Sequence, residues 1–208
     1  MNEIVDIVEN KLYSFHDEIG IPAKFAHHIT DKNTRHSYCE SYTFLLEKFK
    51  NKPVFLLEIG CHYGGSLFIW HEFLNQSVLY GIDKNRPNGF IKKFLGIRLH
   101  FFKEDAYTEE VRNNVIGHLY NKFNHKFFDV IIDDGPHTLD SQIKALELYL
   151  PSLKDGGIFI IEDIQQIDHI DTLSDIANSV CNSINVSYID LRENKGTYDD
   201  ILFIVEKI

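Results

Sequence analysis

The stretch "VFLLEIGCHYGGSLFIW", Val54 to Trp70, decides the fold. It opens as a short apolar strand, passes through Gly60, Gly64 and Gly65, and continues as the helical pattern "SLFIWHEFL". A buried strand that turns through glycines into a helix is the first unit of a parallel α/β sheet. Working outward, the same alternation repeats. "SVLYGID", "GIRLHFFKED", "FFDVIIDD" and "GGIFIIED" read as strands, and "TEEVRNNVIGHLYNKF", "LDSQIKALELYLPSL" and "LSDIANSVCNSI" as helices. "VSYIDL" and "DILFIVEKI" are two final strands joined by the short polar "RENKGTYD", which favours an antiparallel pair at the end of the sheet. The expected fold is α/β: a doubly wound, seven-stranded, mostly parallel sheet with an antiparallel C-terminal strand.

Upstream the pattern is helical. "IVDIVENKLYSF" sets Ile4, Val8, Leu12 and Phe15 on one stripe, and "SYCESYTFLLEKFK" predicts a helix from about Ser37 to Lys50. The polar, turn-prone "HHITDKNTRH" lies between them. With no repeat or Pro/Gly-rich linker, the 208 residues suit one domain, a helical cap over 1–50 on a core over 51–208.

Composition excludes some functions. The formal net charge of −10 opposes non-specific nucleic-acid binding, which needs a basic surface. No apolar run approaches the roughly 18 residues of a membrane span. Three spaced cysteines make neither a disulfide framework nor a C-x-x-C metal pattern. "MNEIVDIVENKLYSF" has early acids and no cleavable signal pattern. The expectation is a cytoplasmic protein without nucleic-acid or membrane partners.

Open α/β sheets bind ligands beyond the carboxyl ends of their strands. Glu58, Asp83, Asp105, Asp133, Asp134, Glu162 and Asp163 all fall at or near such ends. The glycine loop "EIGCHYGGS" fails the dinucleotide fingerprint G-x-G-x-x-G, because His62 stands where the middle glycine belongs. What remains is E-x-G-x-x-x-G, the loop of S-adenosylmethionine enzymes. Asp83 is then placed to accept hydrogen bonds from both ribose hydroxyls, and Asp105 in "KEDAY" to bind the adenine amino group. The positions assigned to the cofactor from this pattern are Glu58, Gly60, Tyr63, Gly64, Ser66, Asp83, Asp105, Ala106 and Asp133.

Together with "TDKNTRHSYCESY", "YGIDK", "DVIIDDGPHTLDSQ" and "LKDGGIFIIEDI", these pieces span roughly Thr30 to Ile164. In that order they resemble the class I S-adenosylmethionine-dependent methyltransferases, and more narrowly the metal-dependent sugar O-methyltransferases of the mycinamicin and tylosin type. The resemblance implies methyl transfer to a sugar hydroxyl, often with magnesium. By motif position it implies Asp134 and Asp163 as metal ligands, His137 as general base with Asp134 beside it, and Glu162 as either a ligand or a neighbour. Pro136 departs from the small residue that usually precedes the histidine. Lys32, His36 and Tyr38 fall in a segment that in relatives lies over the cofactor site, which implies Lys32 and Tyr38 as further cofactor positions. Relatives often oligomerise, which implies a homodimer or higher assembly.

The chemistry explains why an apolar strand runs into two acids and a histidine. A sugar hydroxyl is a poor nucleophile near neutral pH, so it needs a base, a metal or both. Histidine, with an ordinary pKa of about 6.5, can accept the proton. Magnesium held by one or two carboxylates can bind vicinal hydroxyls and lower their pKa. Against this, Thr138 or Asp140 is suited to cap the helix beginning near Leu139, and Asp133 to pair with a buried group. Competing functions are methylation of a catechol or phosphate-type oxygen, and a non-catalytic S-adenosylmethionine-binding module. The expected acceptor is a small sugar-bearing molecule, such as a surface glycan precursor or a glycosylated natural product.

Overall fold

The structure is a computed structural model that describes residues 2–13, 30–85, 96 and 98–208. Seven strands form one sheet: β1 Phe55–Ile59, β2 Val78–Ile82, β3 Leu99–Phe102, β4 Phe128–Asp133, β5 Leu153–Ile161, β6 Ile184–Asp190 and β7 Ile201–Lys207. Their order is β3-β2-β1-β4-β5-β7-β6. The first five run parallel, while β7 is antiparallel to both β5 and β6. The antiparallel pair read from the short "RENKGTYD" connection is therefore present, with β7 inside the sheet and β6 at its edge.

Side chains along each strand alternate between two cores. Leu56, Val130, Ile132, Ile158 and Ile160 face one side, packing with residues of α2 (Tyr38–Leu46) and α3 (Gly65–Phe73). Leu57, Ile59, Ile131, Phe159 and Ile161 face the other, with residues of α4 (Glu109–Phe123), α5 (Leu139–Tyr149) and α6 (His169–Val180). Every residue of β4 is buried, as expected for a central parallel strand covered on both faces. No helix among the described residues is long and apolar enough to cross a membrane.

Some boundaries differ from the sequence reading. The first helical stripe is a short α1 (Glu3–Asp6) that widens into a π-helical turn, Ile7–Leu12. Ile4, Val8 and Leu12 are buried as that stripe requires, and Phe15 lies outside the described residues. The helix expected over Ser37–Lys50 is α2 followed by a 3₁₀ turn, Glu47–Phe49. α6 begins at His169, a turn before "LSDIANSVCNSI", because Ile170, Leu173 and Ala177 form its buried stripe. Its expected tail is not helical: Cys181 is extended and Ile184 already pairs with Lys207. A four-residue α7 (Arg192–Lys195) and Gly196 make the β6–β7 connection.

At the β2–β3 side of the sheet, His100 is buried among Tyr80, His118 and Phe123. Burial, with Lys122 and His118 adding positive charge nearby, lowers its pKa from 6.5 to about 4. At this site the unfolded chain binds more protons than the folded one between those values, so the His100 contribution destabilises as pH drops through that window. Removing it in His100→Phe is expected to shift the slope of the denaturant midpoint between pH 6.5 and 4 toward greater relative stability at the acid end. An unchanged pH slope in the variant would contradict this assignment.

Candidate active site

The chain runs β1, β2, β3 outward in one direction and then returns to place β4 on the other side of β1. The switch point is therefore the gap between the carboxyl ends of β1 and β4, where such sheets bind ligands. Ile59 pairs with Asp133 and Asp133 with Ile161, so the residues just beyond (Gly60, Asp134 and Glu162) emerge side by side.

Gly60 closes this gap. Its N–H donates to the Ile82 carbonyl at 2.9 Å, and the Asp134 N–H donates to the Ile59 carbonyl at 2.9 Å. Gly60 has φ +84°, and a Cβ there would sit 1.9 Å from the Asp134 carbonyl oxygen. Only glycine fits. Gly64 (φ +82°) precedes α3, whose N-terminus carries no side-chain cap. Asp83, one residue past β2, accepts from the His62 N–H at 2.8 Å and from the Asn85 N–H at 2.7 Å. It thereby ties the glycine loop to the end of the second strand.

A pocket of about 880 Å³ opens over this loop. Gly60, Tyr63, Ser66, Asp83, Asp105 and Ala106 line it, and Asp134, Gly135, Pro136 and His137 line it too. Thr34, Arg35, Lys84, Asn85 and Glu104, not singled out from the sequence, also contribute. Asp105 lies beyond the end of β3, and an ion pair with Lys84 at 3.0 Å holds its carboxyl below the usual value. Five of the residues assigned to the cofactor do not line the pocket: Gly64 within the loop itself, and Glu58, Asp133, Lys32 and Tyr38. Glu58 is fully buried, and burial pushes its carboxyl up to about 7 while the Lys32 charge opposes the rise. Asp133 is raised to about 7 by burial and accepts from the Tyr107 hydroxyl at 2.7 Å. Lys32 and Tyr38 are buried against the acids.

The acid–histidine cluster is built from two directions. From the strand ends come Asp134, Glu162 and Asp163, and from the turn after β4 comes His137. Thr138 caps α5, its hydroxyl accepting from the Ser141 N–H at 3.2 Å, so neither Asp133 nor Asp134 is needed as a cap. His137 Nε2 lies 3.9 Å from Asp134 Oδ1 and 3.5 Å from Asp163 Oδ2. Ligand atoms of Asp134, His137 and Asp163 all fall within 4.8 Å of one another. His137 (φ +58°) and Asp163 (φ +56°) both adopt left-handed backbone, costly for such residues and common where a site dictates geometry.

From the other direction, the segment before and within α2 supplies donors. Lys32 Nζ donates to Asp134 Oδ2 and to both Glu162 oxygens, each at 2.7 Å. Tyr42 donates to Glu162 Oε1 at 2.5 Å, and Tyr38 to Asp163 Oδ1 at 2.6 Å. His36 Nδ1 lies 3.4 Å from both Asp163 and Asp200. Burial works against the Lys32 charge, but Asp134 and Glu162 outweigh it and hold the ammonium well above its usual pKa. Burial and then the Asp134 charge raise the carboxyls of both Glu162 and Asp163. The sequence reading did not single out Tyr42. Its signal was available: Tyr38 and Tyr42 are four residues apart and share one helix face.

Comparisons with known proteins point the same way. The family described as "Methyltransferase domain" matches residues 57–164. The chain is 26% identical over 168 residues to the 8-demethyl-8-(2-methoxy-alpha-L-rhamnosyl)-tetracenomycin-C 3'-O-methyltransferase of Streptomyces olivaceus, covering 77% of this chain and 40% of that protein. It is 26% identical over 136 residues to the mycinamicin VI 2''-O-methyltransferase of Micromonospora griseorubida, covering 62% and 32%. The chain thus spans well under half the length of these curated relatives. Among solved structures, the MycE methyltransferase from the mycinamycin biosynthetic pathway, in complex with Mg, SAH and mycinamycin VI, shares the fold with a TM-score of 0.67 at 18% identity. That match covers 94% of this chain and 54% of that one. With its glycine loop, strand-end acids and reversed β7 all within or beside a family match over residues 57–164 of 208, the chain belongs to the methyltransferase-domain family.

Proposed function

We propose that the protein is an S-adenosylmethionine-dependent O-methyltransferase acting on a hydroxyl of a sugar or sugar-bearing small molecule. The observation that carries this is the convergence of Asp134, His137 and Asp163 within 4.8 Å, Asp134 and His137 lining the pocket that the glycine loop also lines. The relatives named above methylate rhamnosyl-tetracenomycin and mycinamicin, which supports a glycosylated acceptor.

The residues suit both groups that the reading requires. Asp83, Tyr63 and Ser66 place polar side chains in the lining at the glycine-loop end of the pocket. The hard oxygens of Asp134 and Asp163 suit magnesium, whereas imidazole prefers softer metals. That division leaves His137 to take the proton of the acceptor hydroxyl. When bound, the sulfonium cofactor supplies the methyl group and the cation lowers the pKa of the hydroxyl.

The test is turnover. Incubation with S-adenosylmethionine, magnesium and a panel of glycosides and nucleotide-linked sugars is expected to yield an acceptor carrying one added methyl, read by mass spectrometry. Methylation of catechols or phosphate oxygens alone would replace the sugar reading. Binding of the cofactor with no turnover on any class would point to a binding module. Asp83→Ala is expected to weaken S-adenosylhomocysteine binding by about tenfold or more, a loss of roughly 1.4 kcal/mol, without altering metal binding. Unchanged affinity would remove Asp83 from the cofactor site.

A further inference from the structure

The two carboxylates nearest His137 are divided in the same way. Asp134 gives its Oδ2 to Lys32 and turns its Oδ1 toward His137. Asp163 gives its Oδ1 to Tyr38 and turns its Oδ2 toward His137. One oxygen of each acid is anchored from behind, and the other faces a common point. Glu162 has no such free oxygen. Lys32 takes both of its oxygens and Tyr42 takes Oε1 again. An ammonium has three donors, and all three contacts of Lys32 go to these two acids.

We infer that Lys32 is a positioning residue for the divalent cation, orienting Asp134 and withholding Glu162 from the metal. The inference rests on the metal reading given above. Lys32 is 1% exposed, so it cannot swing into water to release Glu162. Leaving its acceptors would strand a charged donor in a buried site, which is costly. Both Glu162 oxygens lie 2.7 Å from that ammonium, whereas Asp134 gives it only Oδ2 and keeps Oδ1 on the His137 side. The metal is therefore directed to Asp134 Oδ1 and Asp163 Oδ2, beside His137. Neither of the acids that Lys32 holds is near it in sequence: Asp134 and Glu162 lie 102 and 130 residues away.

Mn²⁺ titration of the full chain, followed by the electron paramagnetic resonance signal of the free ion, tests this independently of turnover. Glu162→Gln is expected to hold Mn²⁺ within about threefold of the unsubstituted protein, and Asp163→Asn to weaken it by about tenfold or more. Lys32→Met is expected to tighten Mn²⁺ by about tenfold, because it frees Glu162 and removes a neighbouring positive charge; adding Glu162→Gln should cancel that gain. A merely structural role for Lys32 would not produce a gain that a second substitution removes. If Lys32→Met does not fold, Glu162→Gln alone decides. A loss in Glu162→Gln as large as in Asp163→Asn would overturn the inference, as would an unchanged or weaker affinity in a folded Lys32→Met. S-adenosylhomocysteine calorimetry on the same samples separates the two readings. Failure of Mn²⁺ to bind any form, with S-adenosylhomocysteine still bound, would overturn the inference and the metal role while leaving the cofactor site standing.

Discussion

Replacing His137 with asparagine is expected to cut methyl transfer by about 10²- to 10⁴-fold, the usual contribution of a general base, with S-adenosylhomocysteine affinity unchanged. Asparagine is the right probe because His137 has φ +58°, a left-handed conformation that asparagine tolerates better than alanine. Its amide keeps a polar side chain in the turn but cannot accept the proton. The loss should fall on kcat, since the base acts on the acceptor hydroxyl and not on the cofactor. Single-turnover rates with an identified acceptor check this. Full activity in a folded His137→Asn would show that proton removal does not run through this residue. The Pro136 departure bears on the same point, because it fixes the backbone immediately before the left-handed residue.

The second large effect concerns Gly60. Alanine there would adopt φ +84° and set its Cβ 1.9 Å from the Asp134 carbonyl oxygen. Strain of that kind costs about 1–3 kcal/mol before the clash is counted. The overlap is with backbone, so it can be relieved only by moving the ends of β1 and β4 apart. That would break the Gly60–Ile82 and Asp134–Ile59 hydrogen bonds and displace Asp134 itself. Gly60→Ala is expected to lower the melting temperature and to weaken S-adenosylhomocysteine binding by about 100-fold or more. Thermal melts and calorimetry on the same preparation check both. Gly117→Ala is the control: a Cβ there meets nothing within 4 Å, and the residue lies on the surface-facing α4 away from the pocket lining. If Gly60→Ala matched that control, the tight crossing of loop and β4 would not be a requirement of the site.

Much of this architecture is legible before any coordinates. Periodicity separates strands from helices because parallel central strands are buried on both faces and read as short apolar runs, as in "VIID" and "FIIED". The glycine loop is legible because a missing Cβ leaves a mark in the sequence. The rim acids are legible because each follows an apolar run. Long-range pairing leaves no local mark. Nothing near Lys32 shows that its ammonium ends between Asp134 and Glu162, or that Tyr38 meets Asp163. Lys32 and Tyr38 do not line the pocket; their side chains contact Asp134, Glu162 and Asp163. The boundary between α6 and β6 was misplaced for a related reason. "CNSI" can continue a helix locally, but pairing of Ile184 with Lys207 draws it into the sheet.

The central claim is that the glycine loop and the strand-end acids hold a sulfonium-type nucleoside cofactor and not a dinucleotide. Titration calorimetry of the full chain with S-adenosylhomocysteine and, separately, with NAD tests it most directly, each with and without magnesium. Saturable S-adenosylhomocysteine binding, weakened by Asp83→Ala, with no heat from NAD is the expected result. Binding of NAD, or no binding of S-adenosylhomocysteine under any condition, would contradict the account from the loop upward.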